Sequence, residues 1–353
     1  MLGCRRPPRR CPIPVELTIL IASYLEPERV RRIEASVPGV RVVFEPELLA
    51  PPRFPADHTG RPDFRRTPAQ EARFLAHLAA ADVLFDLDRR LAPRLPELAP
   101  RLRWIQATSS GIGPLVRQAG LDGSGIRVTN AAGIHAVPLA EHALLSLLYF
   151  VKEVPARRRD QRAHRWERTC GRELRGMTVG VVGLGAVGRE IARVLRAVGV
   201  RVVGVRRTPV ADPAEQHADE VLTPDRLPEL LPRCDALVLI APHTPETEGM
   251  IGARELARLP QGAILVNLAR GALVDEDALV RALRSGHLGG AALDVAAVEP
   301  LPEESPLWDL PNVLITAHSA STVTRENERL TDLFVANLRR FVAGEPLINE
   351  LMP

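Results

Sequence analysis

The sequence predicts an α/β fold built on parallel sheets, and three observations predict it. Short apolar runs alternate with amphipathic helical stretches along nearly the whole chain. Such alternation lays strands side by side in one direction, with the connecting helices on the sheet faces. The series occurs twice, before and after a long apolar helix expected at Val137–Lys152, and 353 residues suffice for two ordinary domains. Finally, a glycine-rich turn, Gly183-Leu184-Gly185-Ala186-Val187-Gly188, joins the first strand of the second series to its helix.

Taken in order, the first series has strands at Leu17–Ala22, Arg41–Phe44, Asp82–Leu87, Leu102–Thr108 and Arg127–Asn130. Helical patterns at Glu28–Val37 and Pro68–Ala80 lie between them. Residues 46–68, rich in Pro and Arg, read as a long surface loop. After the apolar helix comes a charged stretch, Arg157–Thr169, that contains Trp166. The second series has strands at Met177–Val182, Arg201–Val205, Ala236–Ala241, Ala263–Asn267, Ala291–Val295 and Val313–Thr316. Six strands match a complete dinucleotide-binding sheet. A last helix is expected at Thr324–Val342.

Composition excludes several classes. With 46% apolar and 25% charged residues the chain is neither disordered nor fibrous. No stretch reaches the roughly 18 uninterrupted apolar residues of a membrane span; Ala140–Val151 contains Glu141 and His142. The net charge of +3 is misleading, because Arg5, Arg6, Arg9 and Arg10 contribute four positive charges in a Pro-rich tail expected to be disordered over residues 1–14, and the body without them carries −1. All but one of the 46 basic residues are arginine, Lys152 being the exception. The balanced remainder offers no basic face for nucleic acid. Leu17–Leu25 follows paired arginines as an export signal would, but Glu16 and Glu26 bracket it and no cleavage site is evident. Cys4, Cys11, Cys170 and Cys234 form no CxxC pair, so neither a metal nor a disulfide framework is expected. A reducing cytoplasm fits.

The glycine turn carries a mechanism. Gly183 allows the tight turn, Gly185 lets a pyrophosphate approach the backbone, and Gly188 lets the helix pack on the sheet. Ala186 and Val187 open that helix, whose free N–H groups and positive dipole end face the phosphates. At the end of the next strand, where an acid would bond a ribose 2′-hydroxyl, stand Arg206 and Arg207. A guanidinium pairs with a 2′-phosphate instead, which favours NADP over NAD.

Three further segments end strands on polar residues: Val266–Gly271 with Arg270, Leu293–Leu301 with Asp294 and Glu299, and Ile315–Ala320 with His318. The carboxyl ends of parallel strands line the ligand crevice in such sheets. Arg270, Glu299 and His318 therefore converge where the nicotinamide would lie. These segments, with the glycine turn and Val274–Val295, closely resemble the D-isomer-specific 2-hydroxyacid dehydrogenases, glyoxylate/hydroxypyruvate reductases among them. The resemblance runs from about Val15 to Asn349 and is strongest over Gly176–Ser321. It implies a Rossmann-type cofactor domain inserted into a flavodoxin-like substrate domain. The NAD(P)-binding domain is expected at 130–319, and the substrate domain at 15–129 with 320–353.

The chemistry agrees. Reducing a 2-keto acid needs a hydride donor, a proton donor and a cation for the carboxylate. His318 can donate the proton, Glu299 can orient the imidazole and stabilise its protonated form, and Arg270 can grip a carboxylate bidentately. By resemblance, Asp294 contacts the nicotinamide carboxamide, while Ala241, Pro242, Leu268 and Ala269 lie along the cofactor, with Arg270 and His318 beside it. Ser110 and Gly111, in Ser109–Gly113, match a family loop whose N–H groups hold the substrate carboxylate. Gly113 and Ala317 depart from the family pattern, the latter replacing a Pro before the histidine. The 153–175 segment matches the family's dimerisation arm and implies a homodimer. His135 and His142 are expected to be structural, Cys234 to be core, and Asp219, Glu220 and Asp235 to be solvated charges.

The function expected is hydride transfer between NAD(P)H and a small 2-keto or D-2-hydroxy acid. The alternative is a corepressor-like, nucleotide-sensing interaction module on the same fold, which also keeps the Arg/Glu/His set. The lack of long low-complexity tails argues against it. Phosphoglycerate oxidation is expected less, because only Pro346–Pro353 follows the last helix.

Overall fold

A computed structural model describes residues 16–121 and 123–351; the expected disordered tail lies outside the described residues. Contacts divide the chain into two units, one running to Ile134 and resuming at Val323, the other spanning His135–Thr322.

The first unit's sheet has strands β1 (Leu17–Ile21), β2 (Val40–Val43), β3 (Val83–Phe85), β4 (Trp104–Gln106) and β5 (Arg127–Thr129). They pair in the order β2-β1-β3-β4-β5, all parallel. This is the flavodoxin-like order. The final helix, Glu326–Ala343, packs on this sheet, as its resemblance implied. Its Phe334 ring stacks on Trp104 at 5.0 Å between centroids and meets Phe85 edge-on at 5.3 Å. The Trp104 indole N–H donates to the Thr129 hydroxyl at 2.9 Å, so the ring is buried without an orphaned donor. Asn337 on the same helix donates to the Gln106 side chain at 3.0 Å, and Arg127 pairs with Glu350 at 2.6 Å.

The second unit's sheet has strands β6 (Thr178–Val182), β7 (Arg201–Val205), β8 (Glu220–Leu222), β9 (Ala236–Leu239), β10 (Ala263–Asn267), β11 (Leu288–Leu293) and β12 (Val313–Ile315). The order β12-β11-β10-β9-β6-β7-β8 is again parallel throughout. Read from β8, it is the Rossmann order with one strand added beyond β11. Helices Ala136–Val151 and Ala186–Ala197 bury one face, and helices Ala253–Arg258 and Glu276–Arg284 the other.

Several expectations need correction. The second sheet has seven strands, not six, because β8 is three residues long and too short to show a period. Glu220 is therefore a strand residue. Asp219 and Asp235 are not solvated charges. Each stands one residue before a strand and accepts a backbone N–H from the neighbouring strand, Val202 and Thr178 respectively, both at 2.8 Å. Asp82 does the same for Thr18 in the first sheet, at 2.9 Å. Three aspartates thus staple the amino edges. β11 begins earlier than expected, at Leu288, since Gly289 and Gly290 hide its apolar run. A Cβ on Gly289 would stand 2.6 Å from the Gly262 carbonyl, and one on Gly290 would enter the Phe150 ring. Residues 46–68 form more than a surface loop. Leu48 and Leu49 are core, and burial raises the Asp57 carboxyl pKa less than hydrogen bonds from Arg53 and Gly60 lower it, to about 2. Ala131 packs in the first unit's core and Ala320 in the second's, although the expected boundaries assign them the other way.

Phe334 ties the returning helix to the first sheet by ring contacts on two strands. Phe334→Ala should cost about 3–5 kcal/mol, read as a lowered midpoint in urea unfolding.

Candidate active site

The turn after β6 is shaped by three close approaches. Gly183 has φ +108°, a conformation side chains rarely adopt, and a Cβ there would stand 2.7 Å from the Ala241 nitrogen. A Cβ on Gly188 would overlap the Gly183 carbonyl, so the helix Ala186–Ala197 sits against its own strand only because that position is bare. Gly185 differs. A Cβ there would meet no atom within 4 Å. That open space lies over the helix N-terminus, whose first N–H groups have no partner inside the helix. The cradle fits a diphosphate.

Beyond the next strand, the Arg206 backbone N–H donates to Leu222, and its guanidinium donates to the side chain of buried Gln216 at 2.9 Å. Gln216 was not foreseen; it fixes where Arg206 points. Arg207 is exposed. Ala241 is buried at the end of β9 and Pro242 is exposed beside it. Leu268 and Ala269 are buried, so at that point the backbone is what a cofactor can meet.

Arg270 leaves the carboxyl end of β10 through a turn built by Asn267. The Asn267 side chain accepts from the Ala269 N–H at 3.1 Å and donates to the Arg270 carbonyl at 3.0 Å. One guanidinium nitrogen of Arg270 donates to the Ala269 carbonyl at 2.6 Å, and the side chain faces solvent. A Cβ on Gly271 would collide with Ala296, in the loop that leads from β11 to Glu299. The Arg270 and Glu299 loops therefore run in contact.

His318 and Glu299 meet as expected, with Nδ1 to Oε2 at 2.8 Å. Their side chains are 48% and 39% exposed, open enough for a small molecule to reach. Facing a carboxylate, Nδ1 carries the proton, and Nε2 is the atom left to exchange one. The Ala296 N–H donates to the other Glu299 oxygen at 3.3 Å. An apolar hollow of about 400 Å³, lined in part by Leu301, Leu307, Trp308 and Ile315, borders the pair.

Asp294 does more than its position foretold. It is 4% exposed, and its Oδ1 accepts from the Thr316 hydroxyl at 2.6 Å and from the Ser319 and Ala320 N–H groups at 2.9 and 3.0 Å. Its carbonyl accepts the His318 N–H at 2.8 Å. His318 has φ +49°, a left-handed conformation that a residue with a side chain adopts at a cost. Four hydrogen bonds to one residue offset that cost and aim the imidazole. Asn267 and Thr316 escaped the sequence reading, though each is a polar residue closing or following an apolar strand. His142 lies inside the helix Ala136–Val151. Burial pushes its imidazole below the ordinary range while the Asp294 carboxylate pulls it up. Cys234 is core, its thiol pushed up to about 12 by burial.

In the first unit, Ser110 and Gly111 are exposed beyond the carboxyl end of β4. The Ser110 carbonyl accepts from the Asn130 side chain at 3.1 Å, and the Ser109 carbonyl from the Ala131 N–H at 3.2 Å, which pins the loop to the segment after β5.

Residues 144–320 match the family model of the D-isomer specific 2-hydroxyacid dehydrogenase NAD binding domain. A D-3-phosphoglycerate dehydrogenase of Mycobacterium bovis is 39% identical over 70% of this chain; the match spans 46% of that protein, about half its length. A glyoxylate reductase of Korarchaeum cryptofilum is 34% identical over 70% of this chain and 76% of its own. The solved structure of an NADPH-dependent glyoxylate/hydroxypyruvate reductase from Sinorhizobium meliloti, in complex with NADP and sulfate, superposes with a TM-score of 0.75. It is 26% identical and covers 95% of this chain and 98% of that one.

The open space at Gly185 gives a direct test. The Cβ added by Gly185→Ala meets no protein atom within 4 Å, so circular dichroism should be unchanged, while NAD(P)H affinity measured by fluorescence titration should fall at least about tenfold.

Proposed function

Because this chain belongs to the D-isomer-specific 2-hydroxyacid dehydrogenases, we propose that it reduces a small 2-keto acid to the D-2-hydroxy acid with NADPH. The observation that carries the reading is the 2.8 Å contact between His318 and Glu299 at the carboxyl edge of the sheet that bears the glycine cradle. Bound NADPH supplies the hydride that the carbonyl carbon accepts. The chain's residues do the rest. Arg270 binds the substrate carboxylate through its guanidinium fork and polarises the carbonyl. His318 donates a proton from Nε2 to the carbonyl oxygen as negative charge develops there. Glu299 holds the ring and stabilises its charged form. Ser110 and Gly111 keep their assignment to the substrate carboxylate.

Gly183, Gly185, Ala186, Val187 and Gly188 bind the diphosphate in this reading, and Ala241, Pro242, Leu268 and Ala269 lie along the cofactor. Asp294 contacts the carboxamide as well as anchoring the histidine loop. Arg206, braced by Gln216, takes the 2′-phosphate with Arg207 beside it. The bound NADP of the Sinorhizobium meliloti relative supports that choice, and the Korarchaeum cryptofilum relative supports glyoxylate or a close analogue as substrate. The relatives described above lend the corepressor reading no support.

A homodimer formed through 153–175 belongs to the same proposal. Helix Val154–Arg162 buries none of its residues, and Trp166 is 98% exposed, an apolar area that a second subunit would cover. Among the described residues no helix is long and apolar enough to cross a membrane. A cytoplasmic setting accords with the free thiols of Cys170 and Cys234.

The deciding experiment is steady-state reduction of a panel of 2-keto acids with NADPH and NADH. No turnover of any member would sink the reading. His318→Ala should lower turnover about 10²–10⁴-fold while leaving NADPH affinity nearly unchanged, since a general acid acts on the chemical step. Arg206→Asp should shift the ratio of kcat/KM for NADPH over NADH toward NADH by about one to two decades, the worth of a charge-assisted hydrogen bond.

A further inference from the structure

The crossover from β7 to β8 ends in a short turn, Pro213–Gln216, that is fixed on both sides. Before it, the Asp212 carboxylate accepts the Ala214 N–H at 2.9 Å. After it, the Ala218 N–H donates to the Pro213 carbonyl at 3.1 Å, and the Asp219 N–H donates to the Val202 carbonyl of β7 at 2.8 Å. Gln216 is the residue of this turn that the fold buries, at 8% exposure. Its side-chain oxygen accepts from Nη1 of Arg206 at 2.9 Å, ten positions back along the chain.

Nearby arginines meet carboxylates instead. Arg196 pairs with Asp219 at 3.2 Å, and Glu220 takes both Arg201 at 3.6 Å and Arg233 at 3.2 Å. Arg206 differs. Among the described residues it makes no ion pair, although Asp212 and Glu215 stand on the same crossover. Its bond to Gln216 takes up one of the five N–H groups that a guanidinium offers. The charge is left whole.

An acceptor beside a guanidinium can do two things, hold it in place and cancel its charge. A carboxylate does both, and it often takes two N–H groups in a fork. An amide oxygen only holds. For an arginine that must meet a second anion, a carboxylate brace is a competitor, since it occupies the fork and repels the incoming charge. Arg206 is half-buried, so its charge is screened less than one on the open surface. Whether its brace is neutral or acidic therefore matters more there than it would in free solution.

We infer that Gln216 is a specificity-determining positioning residue for the coenzyme: it holds Arg206 through a neutral bond, and that neutrality keeps the guanidinium's charge available to a 2′-phosphate. The inference rests on the NADPH reading above and adds a second residue to it. Coenzyme preference then depends on the side chain that follows β7 and, equally, on the uncharged amide that braces it. A glutamate at position 216 would have the same length and shape, and it would turn the preference toward NAD with Arg206 still in place.

The test is calorimetric titration of the full chain with NADP and with NAD, which needs no turnover. The quantity read is the ratio of the two affinities. In Gln216→Glu the ratio should fall toward NAD at least about tenfold, because the new carboxylate cancels Arg206 and repels the phosphate. Gln216→Met removes the brace without adding charge, so a smaller fall of about threefold is expected. Raising the salt concentration should lower the wild-type ratio and leave that of Gln216→Glu flat, since salt screens only a charge that is still exposed to the phosphate. Equal losses of NADP and NAD affinity in both variants would show a structural role alone and overturn the inference. So would a ratio equal to the wild type's in both, and Gln216→Met decides by itself if the buried acid prevents folding. A ratio that responds to Arg206→Asp but to neither Gln216 variant sinks this inference and spares the NADPH reading. A ratio untouched by Arg206→Asp, or one that favours NAD in the wild type, sinks both.

Discussion

Parallel pairing within each sheet is the constraint on which the rest of this structure depends. When all strands of a sheet run one way, every strand delivers its following loop to the same edge. The glycine cradle, Arg206, the Ala241 backbone, Arg270, Asp294 and His318 are all reached from the carboxyl edge of the second sheet. The first sheet obeys the same rule with Ser23, Asp86, Thr108 and Ser110. At the opposite edge Asp82, Asp219 and Asp235 accept neighbouring backbone N–H groups. One edge is closed by aspartates, and the other stays free for chemistry.

Where the chemistry sits, stability is given up locally and recovered through buried polar residues. His318 holds a left-handed backbone because Asp294 binds the residues around it at four points. Arg270 stands on a turn closed by the two ends of one Asn267 side chain. Buried polar groups with satisfied hydrogen bonds are rigid, because shifting any member strands a donor or acceptor away from water. This rigidity lets two half-exposed side chains, His318 and Glu299, keep a fixed distance without being packed.

A chain whose basic residues are nearly all arginine uses that side chain in several ways. Arg66 is buried over the Phe74 ring, 3.7 Å from its centroid, and bonded to Asp88. Arg127 pairs with Glu350 near the chain's end. Many others make short surface pairs, such as Arg94 with Glu97, worth little in water. The informative arginines are Arg206 and Arg270, which the fold sets just beyond the carboxyl ends of two strands of the second sheet.

The sequence by itself determined the fold class and the place of the glycine turn, and it brought Arg270, Glu299 and His318 forward as candidates, since period, turn chemistry and strand-end polarity are local properties. It marked Arg206 as well, because the residue that follows a strand is read by counting. Tertiary structure decided what depends on which strands become neighbours. β8 is too short to show a period and exists only because β7 offers an edge. Asp219 and Asp235 look solvated until the adjacent strand's N–H is in place. Asp294 reads as a cofactor contact, and its hold on the histidine loop requires β11 and β12 to lie side by side. Contacts distant in sequence follow from topology, which no local pattern encodes.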